Sequence, residues 1–372
     1  MDAALYPIID RAHAFAGAVR SLSDFTLGPG RDIDPVMAVQ SPDWSLYAVD
    51  IESRRAMFVE LPKGTDLGNA SFVYMTQFDL AQRAIIVPLE LLEPLSRQRA
   101  APENMGMLFS TGRCGSTLAS RILAQIPDVW SLSEPDILEN LAFARCSVPS
   151  KEMVPLIRAA TRLLFNPPAG RKIRTFVIKP RSESVLQASD YAAALPQSRN
   201  IFMYRDAAGY VNSLYRFAQK MIGPEVFFGP EMDAISWPLS SANAPQSLSD
   251  EYFPEGRNPS NTSDVMAMGW AIRMHAYLRA ADIGVPMQPL HYADLNADRR
   301  AQTTLLLQGL GIRADHLDLA MRGFDEDSQK GTGGDRALPA IPLDDAQRAR
   351  IAVLLGRWGL DDYATLRLPR VG

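Results

Sequence analysis

The chain of 372 residues is short of lysine, cysteine and long apolar runs, and each shortage excludes something. Its lysines are Lys63, Lys151, Lys172, Lys179, Lys220 and Lys330, far fewer than its arginines. Codon bias is the bland explanation for that skew, and a lysine inside a motif stands out a little more because of it. The two cysteines, Cys114 and Cys146, are too few for a disulfide framework and fit no metal-ligand spacing. No stretch approaches the roughly 20 apolar residues that span a bilayer. The leading residues, Met1-Asp2-Ala3-Ala4-Leu5-Tyr6, lack the basic segment and apolar core of a secretory signal. The cytoplasm is therefore the expected location. A formal net charge of −4 leaves no basic surplus, which argues against nucleic acid or an anionic membrane as a partner. With 47% hydrophobic and 22% charged residues, the composition is that of a globular protein able to form one large domain with an appendage.

The most informative stretch is Phe109-Ser110-Thr111-Gly112-Arg113-Cys114-Gly115-Ser116-Thr117-Leu118. A short apolar run precedes it and a helical pattern follows. A strand, a glycine-containing loop and a helix N-terminus in that order bring unpaired N–H groups and a positive dipole end to one place, which makes an anion cradle. The lysine of a nucleotide-triphosphate P-loop is missing. Ser116 stands in its place, and the cation is Arg113 within the loop.

Around this stretch the patterning divides. Residues 7–22 repeat apolar side chains at helical spacing (Ile8, Ile9, Ala12, Phe15, Val19), which predicts a helix. Short β-type segments follow at 44–51, 55–61, 71–75 and 85–91, with turns at Pro62-Lys63-Gly64 and Gly68-Asn69. Residues 1–100 therefore read as an N-terminal helix and β-rich appendage. From Met105 onward, strands at 105–109, 175–178, 200–204 and 286–290 alternate with helices at 115–125, 182–194, 207–218, 264–281, 299–310 and 343–355. Such alternation predicts an α/β domain over 101–372, with a mostly parallel central sheet between two layers of helices. Periodicity disappears over 221–262, a Pro-, Gly- and Ser-rich stretch carrying Phe227, Phe228, Trp237, Tyr252 and Phe253. A loop of that length with that many aromatics suits a lid or an acceptor-binding wall.

Four further segments offer polar groups to the same crevice. Tyr204-Arg205-Asp206 follows an apolar strand, which places Arg205 where open α/β sheets bind ligands, with Ser213 two helical turns later. Taken alone, an Arg-Asp pair at a strand end is more often a structural ion pair. Lys330-Gly331-Thr332-Gly333-Gly334-Asp335 reads either as a surface loop or as one suited to close backbone approach to phosphate. Lys179 ends another strand, before Pro180. Glu134 follows the cradle's helix at a distance that returns its carboxylate toward the loop, unless it is only a turn residue before Pro135.

In order and spacing these pieces resemble the P-loop sulfotransferases, which use 3′-phosphoadenosine 5′-phosphosulfate (PAPS). The run Gly112, Arg113, Cys114, Gly115, Ser116, Thr117 and Leu118 is similar to that family's 5′-phosphosulfate loop. Arg205 with Ser213 is similar to its 3′-phosphate site, Leu290-His291-Tyr292-Ala293-Asp294-Leu295 to its Y-E-D-L segment, and the loop from Lys330 and Gly331 to its K-G-x-x-G-D motif. Cys114, Ala207 and Ala293 depart from the usual residues without removing a cation. The resemblance spans 105–335 and implies a three-layer P-loop NTPase-like fold. It further implies PAPS as co-substrate, 3′-phosphoadenosine 5′-phosphate (PAP) as product, and no metal. Arg113, Lys179 and Glu134 would form the catalytic set. Glu134 falls where the tyrosylprotein branch, closest in base placement along with carbohydrate sulfotransferases, puts its base; His275 is a distant second. The acceptor stays open among small molecules, glycans, lipids and peptides, and the appendage could supply acceptor contacts or a homodimer surface. A P-loop phosphoryl transferase and a non-catalytic nucleotide-binding protein are the competing readings.

Overall fold

A computed structural model describes residues 3–13, 18–145, 147–222, 252, 262–325, 343–361 and 367–368. Cys146, most of the 221–262 segment and the loop containing Lys330 and Gly331 lie outside the described residues.

Two sheets form the frame. The first is antiparallel and built from β1 (Ala4–Arg11), β2 (Phe25–Leu27), β3 (Arg31–Asp32), β4 (Trp44–Asp50), β5 (Arg55–Glu60) and β6 (Arg83–Pro88), in the order β2-β1-β6-β5-β4, with β3 also paired to β1. The second is parallel and built from β7 (Asn104–Ser110), β8 (Val129–Ser133), β9 (Thr175–Lys179), β10 (Arg199–Tyr204) and β11 (Gln288–His291), in the order β11-β10-β7-β9-β8. The helices used below are α1 (Val73–Leu80), α2 (Ser116–Ala124), α3 (Ile137–Ala144), α4 (Ser150–Leu164), α5 (Ala188–Ala194), α6 (Ala207–Ile222), α7 (Thr262–Asp282), α8 (Arg299–Gly309) and α9 (Asp345–Arg357).

The inner parallel strands β7, β9 and β10 are buried on both faces over most of their length, which is why they read as short apolar runs. Alternate residues sort into two cores. Met107 and Phe109, Phe176 and Ile178, and Phe202 and Tyr204 face one side, against α3, α4, α7 and the antiparallel sheet. Leu108, Val177, Ile201 and Met203 face the other side, against α2 and α8. The result is three layers around the parallel sheet, with the antiparallel sheet sharing the first core.

Strand β4 ends the antiparallel sheet, yet it is buried along almost its whole length. An uncovered edge strand invites pairing with another chain. Here α3 covers it, and the side-chain oxygen of Asn140 accepts the Val49 N–H at 3.1 Å.

Two sequence expectations in the first hundred residues are corrected. Ala4–Arg11 is a strand, where helical spacing pointed to a helix starting at Pro7. Leu5 pairs with Ile85 and Tyr6 with Ala84, and Ile9, counted in the helical stripe, is 65% exposed. Pairing with β6 decided the conformation. Residues 71–75 read as β-type, but a helix begins at Val73. Val73, Tyr74, Gln77 and Phe78 are buried at helical spacing, so tertiary burial overrode the β preference of Val and Tyr. The sequence reading also passed over α3 and α4, and over β8 as a named strand.

Candidate active site

The central strand β7 continues to β8 on one side of the sheet, while its neighbour β10 continues to β11 on the other. Connections that leave in opposite directions open a crevice at the carboxyl ends of those two strands, the place where such sheets bind ligands. Both arginines singled out from the sequence stand at this crevice.

The loop after β7 turns through two left-handed glycines, Gly112 (φ 79°) and Gly115 (φ 83°). A Cβ on Gly115 would lie 2.7 Å from the Tyr292 ring, so the position needs glycine for both its backbone angle and its space. Helix α2 starts at Ser116, and its leading N–H groups lie at the loop mouth. Cys114 is fully buried and donates its Sγ–H to the Met203 carbonyl at 3.3 Å. Burial pushes its thiol above the usual value, opposed more weakly by nearby donors and cations. Cys114 is a packing residue.

Arg113 is itself left-handed, at φ 52°. Its Nε donates to Ser213 Oγ at 3.1 Å, and its carbonyl accepts from Arg205 Nη1 at 3.0 Å. Helix α6 therefore runs back along the loop, and the structure brings Arg113, Arg205 and Ser213 together. Burial lowers the Arg113 guanidinium from its ordinary value, while Glu134 and Tyr210 act in the opposite direction. A desolvated cation of this kind gains most from an incoming anion.

Arg205 is not tied up by its neighbour. Asp206 Oδ1 accepts the Gly209 N–H at 2.6 Å and so caps α6, while its other oxygen stays 3.9 Å from Arg205 Nε. That Nε is buried without a hydrogen-bond partner. The guanidinium lies 4.8 Å from the Tyr292 ring centroid. Tyr292 thus meets both the loop glycine and Arg205, which accounts for its place in the Leu290–Leu295 motif.

Two strands away, Lys179 ends β9 and Glu134 follows β8. The backbone continues the pairing, Glu134 N–H to the Lys179 carbonyl at 2.7 Å. Their side chains form an ion pair, with Lys179 only 2% exposed and Glu134 20%. Ser133 Oγ lies 3.4 Å from Lys179 Nζ. Glu134 has φ 56°. Among the described residues the non-glycine positions with positive φ are Arg54, Arg113 and Glu134, so two of the three belong to the candidate site. Such conformations cost on the order of 1–3 kcal/mol and tend to persist where the surroundings impose them at working sites.

His275, the alternative base, hydrogen-bonds through Nδ1 with the Tyr252 hydroxyl at 2.5 Å on α7. Sequence reasoning missed the residues beneath and beside the site. Tyr210 lies under Gly112, and Arg273 forms a buried ion pair with Glu183. Asp136 binds Arg181 through both oxygens, at 2.7 and 2.8 Å, and also accepts the Arg20 N–H at 2.9 Å. No local motif announces these contacts, because each joins segments far apart in the chain.

Among the described residues no helix is long and apolar enough to cross a membrane. No family model matches the chain, and no curated protein matches it. Solved structures similar to it include three sulfotransferases. One from Mycobacterium avium is 11% identical, covering 75% of this chain and 80% of its own, with a TM-score of 0.43. A mouse sulfotransferase complexed with PAP is 11% identical over 72% and 89%, with a TM-score of 0.40. One from Alicyclobacillus acidocaldarius is 14% identical over 72% and 98%, with a TM-score of 0.39.

Proposed function

We propose that this chain transfers a sulfuryl group from PAPS to an acceptor hydroxyl, with residues 101–372 as the transferase unit. The observation that carries the reading is the convergence of Arg113, Arg205 and Ser213 at the β7/β10 crevice, with the Lys179–Glu134 pair at the neighbouring strand ends. This arrangement offers two anion positions and a cation–carboxylate pair.

The cradle of Gly112, Arg113, Cys114, Gly115, Ser116, Thr117 and Leu118 would hold the 5′-phosphosulfate. Arg205, with its unpartnered Nε, and Ser213 would hold the 3′-phosphate. Lys330 and Gly331 complete the donor site in this proposal. Before the donor arrives, Lys179 and Glu134 neutralise each other. An arriving phosphosulfate gives Lys179 a second anion, which frees the carboxylate for the acceptor.

Glu134 then accepts the proton of the acceptor hydroxyl as its oxygen bonds to sulfur. The bond from sulfur to the bridging oxygen breaks, and its electron pair leaves on the 5′-phosphate, giving PAP. Arg113, Lys179 and the loop N–H groups stabilise the charge that grows on that oxygen. A sulfuryl group carries less charge than a phosphoryl group, so side-chain cations suffice.

Two measurements test this. Thermal shift should show stabilisation by PAP and little by Mg·ATP. Incubation with radiolabelled PAPS and a metabolite extract should place label on an acceptor. Stabilisation by Mg·ATP alone would turn the reading to phosphoryl transfer; PAP binding without any labelled product would leave a binding protein.

A further inference from the structure

The N-terminal half reaches the proposed site through residues 66–74. Asp66 accepts from the Trp130 indole at 2.9 Å and pairs with Arg171 at 2.9 Å. Gly68 sits so close to Trp130 that a Cβ would approach its ring to 2.5 Å. Ser71 Oγ accepts from Arg121 Nη2 of α2 at 2.9 Å. These contacts fasten the segment along β8, the edge of the parallel sheet, and carry it to the strand's carboxyl end. There Phe72 lies with its ring centroid 5.8 Å from Lys179 Nζ, and Tyr74 lies 5.8 Å from Phe72 and 4.3 Å from the Arg181 guanidinium.

We infer that residues 71–74 form the acceptor-side wall of the Glu134–Lys179 site and receive an uncharged acceptor whose reacting hydroxyl is carried on an aromatic ring. Phe72 is only partly buried and offers a ring face beside the reacting pair. Tyr74 is 7% exposed; its hydroxyl is not one of the fully buried polar atoms and makes no hydrogen bond to another described residue. The hydroxyl is not sealed from the outside, so it can bond a group that enters the site. Glu134 is close enough to raise the Tyr74 phenol electrostatically, after the larger effect of burial and against the opposing pull of Arg181. The cations behind the rings offer nothing to a charged acceptor. Arg181 is held by Asp136, and Arg20 lies on Tyr74 and Phe78, 5.2 and 4.6 Å from their centroids. What the wall presents is the Phe72 ring face and the Tyr74 hydroxyl.

This inference rests on the donor reading above, and the test separates the two. PAP affinity is measured first by calorimetry, then 2-naphthol is titrated into the enzyme·PAP complex and turned over with PAPS. Its saturated counterpart decahydro-2-naphthol and glucose serve as comparison acceptors. Wild type should bind 2-naphthol and prefer it to both. Phe72→Ala should raise KM for 2-naphthol about 10-fold or more with kcat little changed. Tyr74→Phe should cost about 10-fold in kcat/KM. Both variants should keep wild-type PAP affinity, which also shows that they fold. Phe72→Leu, which keeps the bulk and loses the ring, should fall between wild type and Phe72→Ala. Failure of wild type to bind PAP would overturn the donor reading and this inference with it. With PAP bound normally, a preference for glucose would overturn the wall alone. So would equal 2-naphthol affinity in wild type and Phe72→Ala.

Discussion

The two halves of the molecule serve the site in different ways. The parallel-sheet half places its polar groups at strand ends: Arg113 after β7, Arg205 after β10, Lys179 at the end of β9 and Glu134 after β8. Each position follows from local sequence, a short apolar strand and the residue that ends it. The antiparallel half contributes through packing alone. Its residues 66–74 lie beside Glu134 and Lys179 because Trp130, Arg121 and Arg171 hold them there. Chemistry anchored by backbone loops leaves a local signature, whereas a wall built by packing does not.

The largest expected effect tests the first half. Glu134→Ala should lower turnover by about 10²–10⁴-fold while PAP affinity stays near wild type. Single-turnover transfer from PAPS, with calorimetry alongside, checks both parts. Unchanged turnover would mean that the reacting proton goes elsewhere, and the division of labour between the halves would have to be redrawn.

Next in size is the joint between the halves. Asp136 has no exposed surface and holds the Arg181 side chain and the Arg20 backbone at once. Asp136→Ala strands a buried guanidinium and should cost on the order of 3–5 kcal/mol in urea unfolding. Asp136→Asn retains the shape and one acceptor oxygen, so it should cost less. If Asp136→Ala unfolds like wild type, the joint rests on the apolar core and on the other polar contacts, those of Asp66 with Trp130 and Arg171 and of Ser71 with Arg121.

The same division explains how much of the protein was legible in its sequence. The α/β alternation, the loop at Gly112 and the residues at the strand ends could all be read, because strand burial and loop conformation are written over a few adjacent positions. Strand β1 could not. Its apolar residues fit a helical period equally well; pairing with β6 over Ala4–Pro7 and with β2 beyond makes it a strand, and Ile9 stays exposed at the irregularity between Ile8 and Asp10. Helix α1 was hidden for a related reason, since its β-favouring residues are buried by a neighbouring half. The contacts of Asp136 with Arg20 and Arg181 span segments no local window contains, and so did the approach of Phe72 to Lys179.

A smaller effect sharpens the reading of the 3′-phosphate position. Arg205→Ala should weaken PAP by about 10- to 100-fold, the range for losing a hydrogen bond to a charged group. Adenosine 5′-phosphate, which lacks the 3′-phosphate, should lose far less. Equal losses for the two nucleotides would place Arg205 against the 5′ end instead, and the crevice would then hold one anion position rather than two.

The smallest effect concerns Cys114, which sits inside the loop among groups that usually activate a thiol. A helix N-terminus and nearby cations lower a thiol's pKa when it is accessible. Here burial outweighs them and drives the thiol upward, and its hydrogen is already given to the Met203 carbonyl. A raised pKa leaves less thiolate at any given pH, so alkylation should be slow even at mildly alkaline pH. Mass mapping should find Cys114 unlabelled by iodoacetamide in the native protein at pH 8 and labelled after denaturation. Cys114→Ser should retain transfer activity within about threefold, because the Ser hydroxyl can make the same bond to Met203 at a cost below that of an unpaired buried group. Rapid native labelling of Cys114 with loss of activity would show instead that the loop opens, and that this part of the parallel half is less rigid than its packing implies.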